Sequence, residues 1–153
     1  MHRENLKNRR IAIFGMGATG LSVARFLASS DISFVFVDSR DKPASLAKVR
    51  LSYPSVEIFL GSFNSAVLSN IDLIILSPGI SLKESILQEA QALGIEIVGD
   101  LALFLSAVEA PVVLITGSNG KSTVTSLVGD MALHSELNAG VGGNLGVPML
   151  DLL

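Results

Sequence analysis

The sequence predicts an α/β fold: a Rossmann-like, doubly wound, mostly parallel sheet, followed by the start of a P-loop ATPase domain. Three observations carry this. Short β-branched runs alternate with segments of helical periodicity, the pattern of a parallel sheet with crossover helices. The first run opens directly into a G-x-G-x-x-G spacing at Gly15, Gly17 and Gly20. A later apolar run, 112–116, enters the stretch "GSNGKST" and then another helical segment.

The elements follow in order. Residues 10–15, "RIAIFG", read as a strand that turns at Gly15, and 19–30 place Leu21, Ala24, Phe26, Leu27 and Ala28 at helical intervals. A second strand is expected at 32–38, a helix at 44–51, a strand at 55–61 and a buried strand within 71–79 that ends in a turn. Residues 83–94 read as a helix stopped by Gly94, and 95–100 as another strand. A short helix follows Asp100 and stops at Pro111; a strand, a glycine loop and a helix come next. We expect a complete domain at 1–98 and the truncated beginning of a second at 99–153, because about two strands and one or two helices are too little for an independent α/β domain.

Composition narrows the function. Among 153 residues, 49% are apolar and 16% charged, so a sizeable core is available and disorder is disfavoured. The net charge of -3, with no basic run beyond Lys7, Arg9 and Arg10, argues against a nucleic-acid groove. The absence of cysteine excludes disulfides, thiolate metal sites and a cysteine nucleophile. "MHRENLKNRR" has no apolar core and is no signal peptide, and the most apolar stretch, 101–115, is too interrupted to span a bilayer. A soluble, cytoplasmic protein without a membrane partner is expected.

The first glycine loop has a specific physical logic. Gly15 allows the tight turn, Gly17 lets a diphosphate approach the backbone, and Gly20 lets the helix pack close to its strand. The helix N-terminus offers free N–H groups and partial positive charge, and Thr19 adds a hydroxyl. Asp38 ends the next strand, where a carboxylate can accept from a ribose hydroxyl; Ser39 and Arg40 follow it at the same ligand end. An arginine there suits a phosphate or carboxylate, and equally a solvated loop. Pro78 and Gly79, after the strand within 71–79, lie where parallel sheets bind ligands, or form a plain turn. The spacing fits a dinucleotide such as NAD and fits a UDP-sugar as well.

The second loop brings Gly117, Ser118, Asn119 and Gly120 before Lys121, Ser122 and Thr123. Successive backbone N–H groups can form an anion nest, Lys121 can reach the β- and γ-phosphates of ATP, and the Ser122 hydroxyl can meet Mg2+. A lysine at a helix start is unfavourable unless an anion sits there. The generic loop spacing fails at one place: the position five before Gly120 is Ile115, not glycine. A third glycine cluster at 141–148 surrounds Asn144, as a ligand-hugging loop or a structural turn.

Taken in order, "GMGATGLS", "VDSR", "SPGI", "GDLALF", "ITGSNGKST" and "GGNLGVP" resemble the motifs of the Mur ligases of bacterial cell-wall synthesis, and cover nearly the whole chain. The "TGLS" and "SPGI" forms resemble the branch that adds D-glutamate to UDP-N-acetylmuramoyl-L-alanine. The form T-G-x-N-G-K-[ST] belongs to this family, which accounts for Ile115. The resemblance implies that Gly17, Ala18 and Thr19 hold the UDP diphosphate, that Asp38, Ser39 and Arg40 lie on the uridine side, that Gly79 contacts the same nucleotide and that Asn144 contacts the muramic acid part. It implies an ATP loop over Gly117, Ser118, Asn119, Gly120, Lys121, Ser122 and Thr123, with Lys121 as the catalytic cation and Ser122 near Mg2+. In that family the substrate carboxylate attacks ATP to give an acyl phosphate, which the amine of D-glutamate then captures, forming ADP. The family's later acidic, histidine and modified-lysine residues and its C-terminal domain have no counterpart here, and His134 is expected on an exposed helix end. We therefore expect these 153 residues to bind the UDP-substrate without turnover. Open alternatives are an NAD(H)-binding module, an ATPase or kinase fragment, and a sister ligase that adds another amino acid.

Overall fold

In the computed structural model, residues 3–61, 63–144 and 146–153 are described. Five parallel strands form one sheet: β1 (Ile11–Phe14), β2 (Phe34–Asp38), β3 (Ile58–Leu60), β4 (Leu73–Leu76) and β5 (Glu96–Gly99). Their spatial order is β3-β2-β1-β4-β5. The chain winds outward from β1 to β3, returns to the other side of β1 with β4, and continues to β5. The direction therefore reverses between β1 and β4, at the centre of the sheet.

Both faces of the sheet are covered, which is why β1, β2 and β4 read as nearly unbroken apolar runs. Alternate residues go to opposite faces. Ile11, Ile13, Phe34, Phe36, Leu73 and Ile75 meet α2 (Ala18–Ala28), α3 (Leu46–Ser52) and α5 (Asp100–Ala107) through Val23, Leu27, Val49 and Leu103. Ala12, Phe14, Val37 and Ile74 meet α4 (Ser85–Ala92) and a 3-10 turn at Ser65–Asn70 through Ile86, Leu87, Ala90, Val67 and Leu68. A short helix α1 (Arg3–Lys7), absent from the sequence reading, closes the first face with the fully buried Leu6.

The expected stop of α4 is realised as a Schellman motif. Gly94 takes φ +75°, its N–H donates to the Gln91 carbonyl, and the Ile95 N–H donates to Ala90 at 2.9 Å. The turn aims the chain straight into β5.

Beyond α5 the outcome differs from expectation in two ways. Residues 112–116 form no strand; they pair with nothing in the sheet, and Val113 and Leu114 are largely exposed. A strand needs a neighbour for its backbone N–H and C=O groups, and no strand among the described residues lies beside this segment. The helix that follows, α6 (Lys121–His134), is mostly exposed, including Leu127, Met131 and Leu133. The second difference is the return of the chain. A 3-10 turn at Met149–Leu152 packs on both α2 and α5, and Leu150 joins the first core at 5% exposure. Parts of 99–153 thus lean on the sheet of the first unit, through α5 and this turn.

Candidate functional site

The carboxyl ends of β1, β2 and β4 surround a cavity of about 350 Å³. Its walls are Gly15, Gly17, Ala18 and Thr19 after β1, Asp38, Ser39 and Arg40 at the end of β2, Ser77 to Ile80 after β4, and Asn144 from the distant glycine cluster. All eight residues expected to hold the UDP-substrate, Gly17, Ala18, Thr19, Asp38, Ser39, Arg40, Gly79 and Asn144, meet here. The cavity sits at the reversal between β1 and β4, the place where open parallel sheets leave a crevice because adjacent connections run to opposite faces.

The loop after β1 is built by close approach. Gly15 has φ +98°, and a Cβ there would meet Ser77 Oγ at 2.9 Å. A Cβ on Gly20 would lie 1.9 Å from the Gly15 carbonyl oxygen, so α2 could not start where it does with any other residue. Gly17 is the opposite case: nothing lies within 4 Å of its missing side chain, and the space opens on the cavity. No side chain caps α2, which leaves its first-turn N–H groups for an anion.

Asp38 is placed differently from its expected role. Its carboxylate is 3% exposed and already accepts four hydrogen bonds: from the Met16 N–H at 2.7 Å, the Arg40 N–H at 3.0 Å, Arg40 Nε at 2.8 Å and Arg40 Nη2 at 2.6 Å. Burial alone would raise its pKa, but the bonds from Arg40 and Met16 outweigh this and hold the carboxyl below its ordinary value. The Arg40 guanidinium is raised in turn by Asp38. Asp38 thus ties the β1 loop to β2 and presents a half-exposed Arg40 at the cavity wall. Ser45 donates to the Met16 carbonyl and secures the loop from α3's side. The sequence carried no signal for the Met16 and Ser45 contacts, which depend on folding. Ser77 was within reach, since it directly follows a strand of the sheet: its hydroxyl is buried at the cavity wall with no partner among the described residues.

The second loop does not line this cavity. Gly117 to Thr123 are exposed at the start of α6, with Gly120 left-handed at φ +75° in the capping position. The Lys121 ammonium folds back and donates to the Gly117 and Ser118 carbonyls. No carboxylate pairs with it among the described residues, so the cation is held over the uncapped helix start by dipoles alone, a setting suited to a polyphosphate. For a metal the donor set is thin. No group of three or more His, Cys, Asp or Glu residues stands together among the described residues, and the loop's own side-chain oxygens, on Ser118, Asn119, Ser122 and Thr123, are uncharged and exposed. His134 ends α6, exposed, its Nδ1 2.8 Å from the Asp130 carbonyl. No helix of the described residues is long and apolar enough to cross a membrane.

Fold and cavity define a class: a Rossmann-like parallel domain with its cleft at the switch point of the sheet. The family model described as "Mur ligase MurD-like, N-terminal domain" matches residues 9–99, and the chain belongs to this family. It is 49% identical over 144 residues to a UDP-N-acetylmuramoylalanine--D-glutamate ligase of Methylococcus capsulatus, covering 94% of this chain and 31% of that protein. The enzyme of the same name from Saccharophagus degradans is 49% identical over 148 residues, covering 94% and 32%. The chain thus spans about a third of the length of these relatives. Among solved structures it resembles the UDP-N-acetylmuramate:L-alanyl-gamma-D-glutamyl-meso-diaminopimelate ligase of Neisseria meningitides (TM-score 0.56, 19% identity, 92% of this chain and 45% of that one). A pseudomurein peptide ligase type C from Methanothermus fervidus is similar too (TM-score 0.55, 23% identity, 84% and 26%). At these identities the likeness is one of fold.

Proposed function

We propose that this chain is the nucleotide-substrate end of a cytoplasmic, ADP-forming ligase of peptidoglycan synthesis that joins D-glutamate to UDP-N-acetylmuramoyl-L-alanine. The observation that carries this is the convergence of Gly17 to Thr19, Asp38 to Arg40, Gly79 and Asn144 on one cavity at the sheet's switch point. The family and the names of its relatives supply the ligand.

In this reading the open face of Gly17 and the free N–H groups of α2 take the diphosphate, because a Cβ-free backbone and a helix N-terminus together favour an anion at close range. Arg40, steadied by Asp38, and Ser39 hold the uridine side, and Asn144 meets the sugar beyond the diphosphate. Residues 1–98 are then the UDP-substrate domain and 99–153 the beginning of the ATP-binding domain. Lys121 and the loop N–H groups of 117–123 would hold ATP phosphates, and Ser122 would offer Mg2+ an oxygen. Bound ATP supplies the electrophilic phosphoryl group that activates the substrate carboxylate as an acyl phosphate, before the amine of D-glutamate arrives. These 153 residues, about a third of the length of the ligases they match, are proposed to bind the UDP-substrate without completing that cycle.

Calorimetric titration tests the reading. UDP-N-acetylmuramoyl-L-alanine is expected to bind and NADH to bind much more weakly; preference for NADH would overturn it. Release of phosphate from ATP in the presence of both ligase substrates would overturn the absence of turnover.

A further inference from the structure

Asn144 reaches the cavity from far away in sequence. The chain between α5 and residue 147 is largely exposed and pairs little with the first unit, so something has to hold this asparagine over the β1 loop. The anchor lies just after it. Gly142 and Val147 bridge, and the Gly143 N–H donates to the Val147 carbonyl at 2.8 Å, closing the loop that carries Asn144. The closure is tight: a Cβ on Gly142 would meet the Val147 oxygen at 2.4 Å and Leu152 Cδ1 at 2.9 Å. Pro148 then leads into the Met149–Leu152 turn, whose Leu150 is buried in the core and whose Asp151 grips Arg25 of α2.

That grip is bidentate, through Arg25 Nε to Asp151 Oδ1 at 2.9 Å and Arg25 Nη2 to Asp151 Oδ2. A planar fork on a carboxylate fixes orientation as well as distance. Asp151 is held below the ordinary carboxylate range chiefly by the hydrogen bond from Arg25. Arg25 and the cavity residues Ala18 and Thr19 lie on the same 11-residue helix. One rigid rod therefore carries the diphosphate-side wall at its start and the clamp for the Asn144 loop about two turns later.

We propose that Arg25 and Asp151 are positioning residues that register Asn144 against the β1 loop, and so select for the part of the ligand beyond the nucleotide diphosphate. The inference rests on the proposed UDP-substrate reading. Neither residue lines the cavity; they act through the loop base at 142–147.

The test titrates the 153-residue protein with UDP and, separately, with UDP-N-acetylmuramoyl-L-alanine. Arg25→Met is expected to weaken the full substrate by about tenfold, the scale of one lost polar contact, while UDP changes by less than about twofold. Asn144→Ala should do the same, and the double variant Arg25→Met with Asn144→Ala should be no weaker than Asn144→Ala, as coupled positions behave. Exchanging the charges with Arg25→Asp and Asp151→Arg should restore much of the loss. Should Arg25→Met fold poorly, Asp151→Asn keeps the shape of the turn and carries the same expectation. Equal losses for both ligands would reduce the pair to a purely structural role and overturn the proposal. So would unchanged binding of the full substrate in Arg25→Met, or additive losses in the double variant. If the unaltered protein binds neither ligand, the substrate reading itself falls, and this inference with it.

Discussion

The Met16 N–H donates to Asp38 Oδ2 at 2.7 Å, in a buried bond between the loop after β1 and the end of β2. It gives the acid at the end of the second strand a role other than touching a sugar. The carboxylate organises the protein first, pinning the glycine loop and holding Arg40 in place.

Replacing Asp38 with Asn keeps the size but puts an N–H2 where donors already point. Loss of stability of ~1–3 kcal/mol is expected, the range for a buried polar group deprived of its partners. Urea unfolding of Asp38→Asn checks this; a change below about 0.5 kcal/mol, as at ordinary surface sites, would refute it.

The acid limb of stability follows from the same group. Burial opposes ionisation of Asp38, but Arg40 and Met16 outweigh it; hydrogen bonds from Arg10 lower Asp72, and that from Arg25 lowers Asp151. Each folded value is depressed, so each contribution is full above the unfolded value of about 4 and is lost as pH falls through the lower folded value. Asp100, raised by burial, has the opposite sign and offsets part of the loss. Unfolding free energy should drop on acidification below about pH 4, less steeply in Asp38→Asn. An unchanged slope in that variant would count against the assignment.

Two glycines, one capping α2 and one within its first turn, should respond oppositely to alanine. Gly20→Ala places Cβ 1.9 Å from the Gly15 oxygen and is expected to cost ~3 kcal/mol or more, as severe overpacking does. Gly17→Ala meets nothing within 4 Å, so its melting temperature should stay close to that of the unaltered protein while UDP binding falls. Thermal melts paired with titrations separate the two; intact binding in Gly17→Ala would remove that residue from the site.

The return of the chain makes a further contrast. Leu150→Ala empties a core position and should cost ~2–5 kcal/mol. Leu127→Ser on the exposed face of α6 should cost less than about 0.5 kcal/mol and reduce self-association, since it removes exposed apolar surface. Denaturant unfolding and sedimentation measure both. Equal costs would mean that α6 is packed as firmly as the sheet.

Much of the first unit was legible in advance because its signals are local. Alternating residues on β1 and β2, the helical spacing on α2 and the left-handed Gly94 each reflect chemistry within a few positions. The glycine loop was legible for the same reason: the room at Gly17 and the closeness at Gly20 are backbone requirements written as residue type. The segment 112–116 misled because its β-branched run meets the local demand for a strand but not the non-local demand for a partner. The short helix α1 and the 3-10 turns gave no periodic signal long enough to read.

By itself, the sequence determined the parallel α/β class, the glycine-bearing turn after the first strand and the residue types around it, because backbone freedom at glycine and apolar periodicity are properties of neighbouring positions. Only the tertiary structure decided that Asp38 spends its carboxylate on Met16 and Arg40, that residues 112–116 find no strand partner, and that Asp151 clasps Arg25. Those outcomes depend on which of several possible partners the folded chain brings within hydrogen-bond distance, and no local pattern encodes that choice.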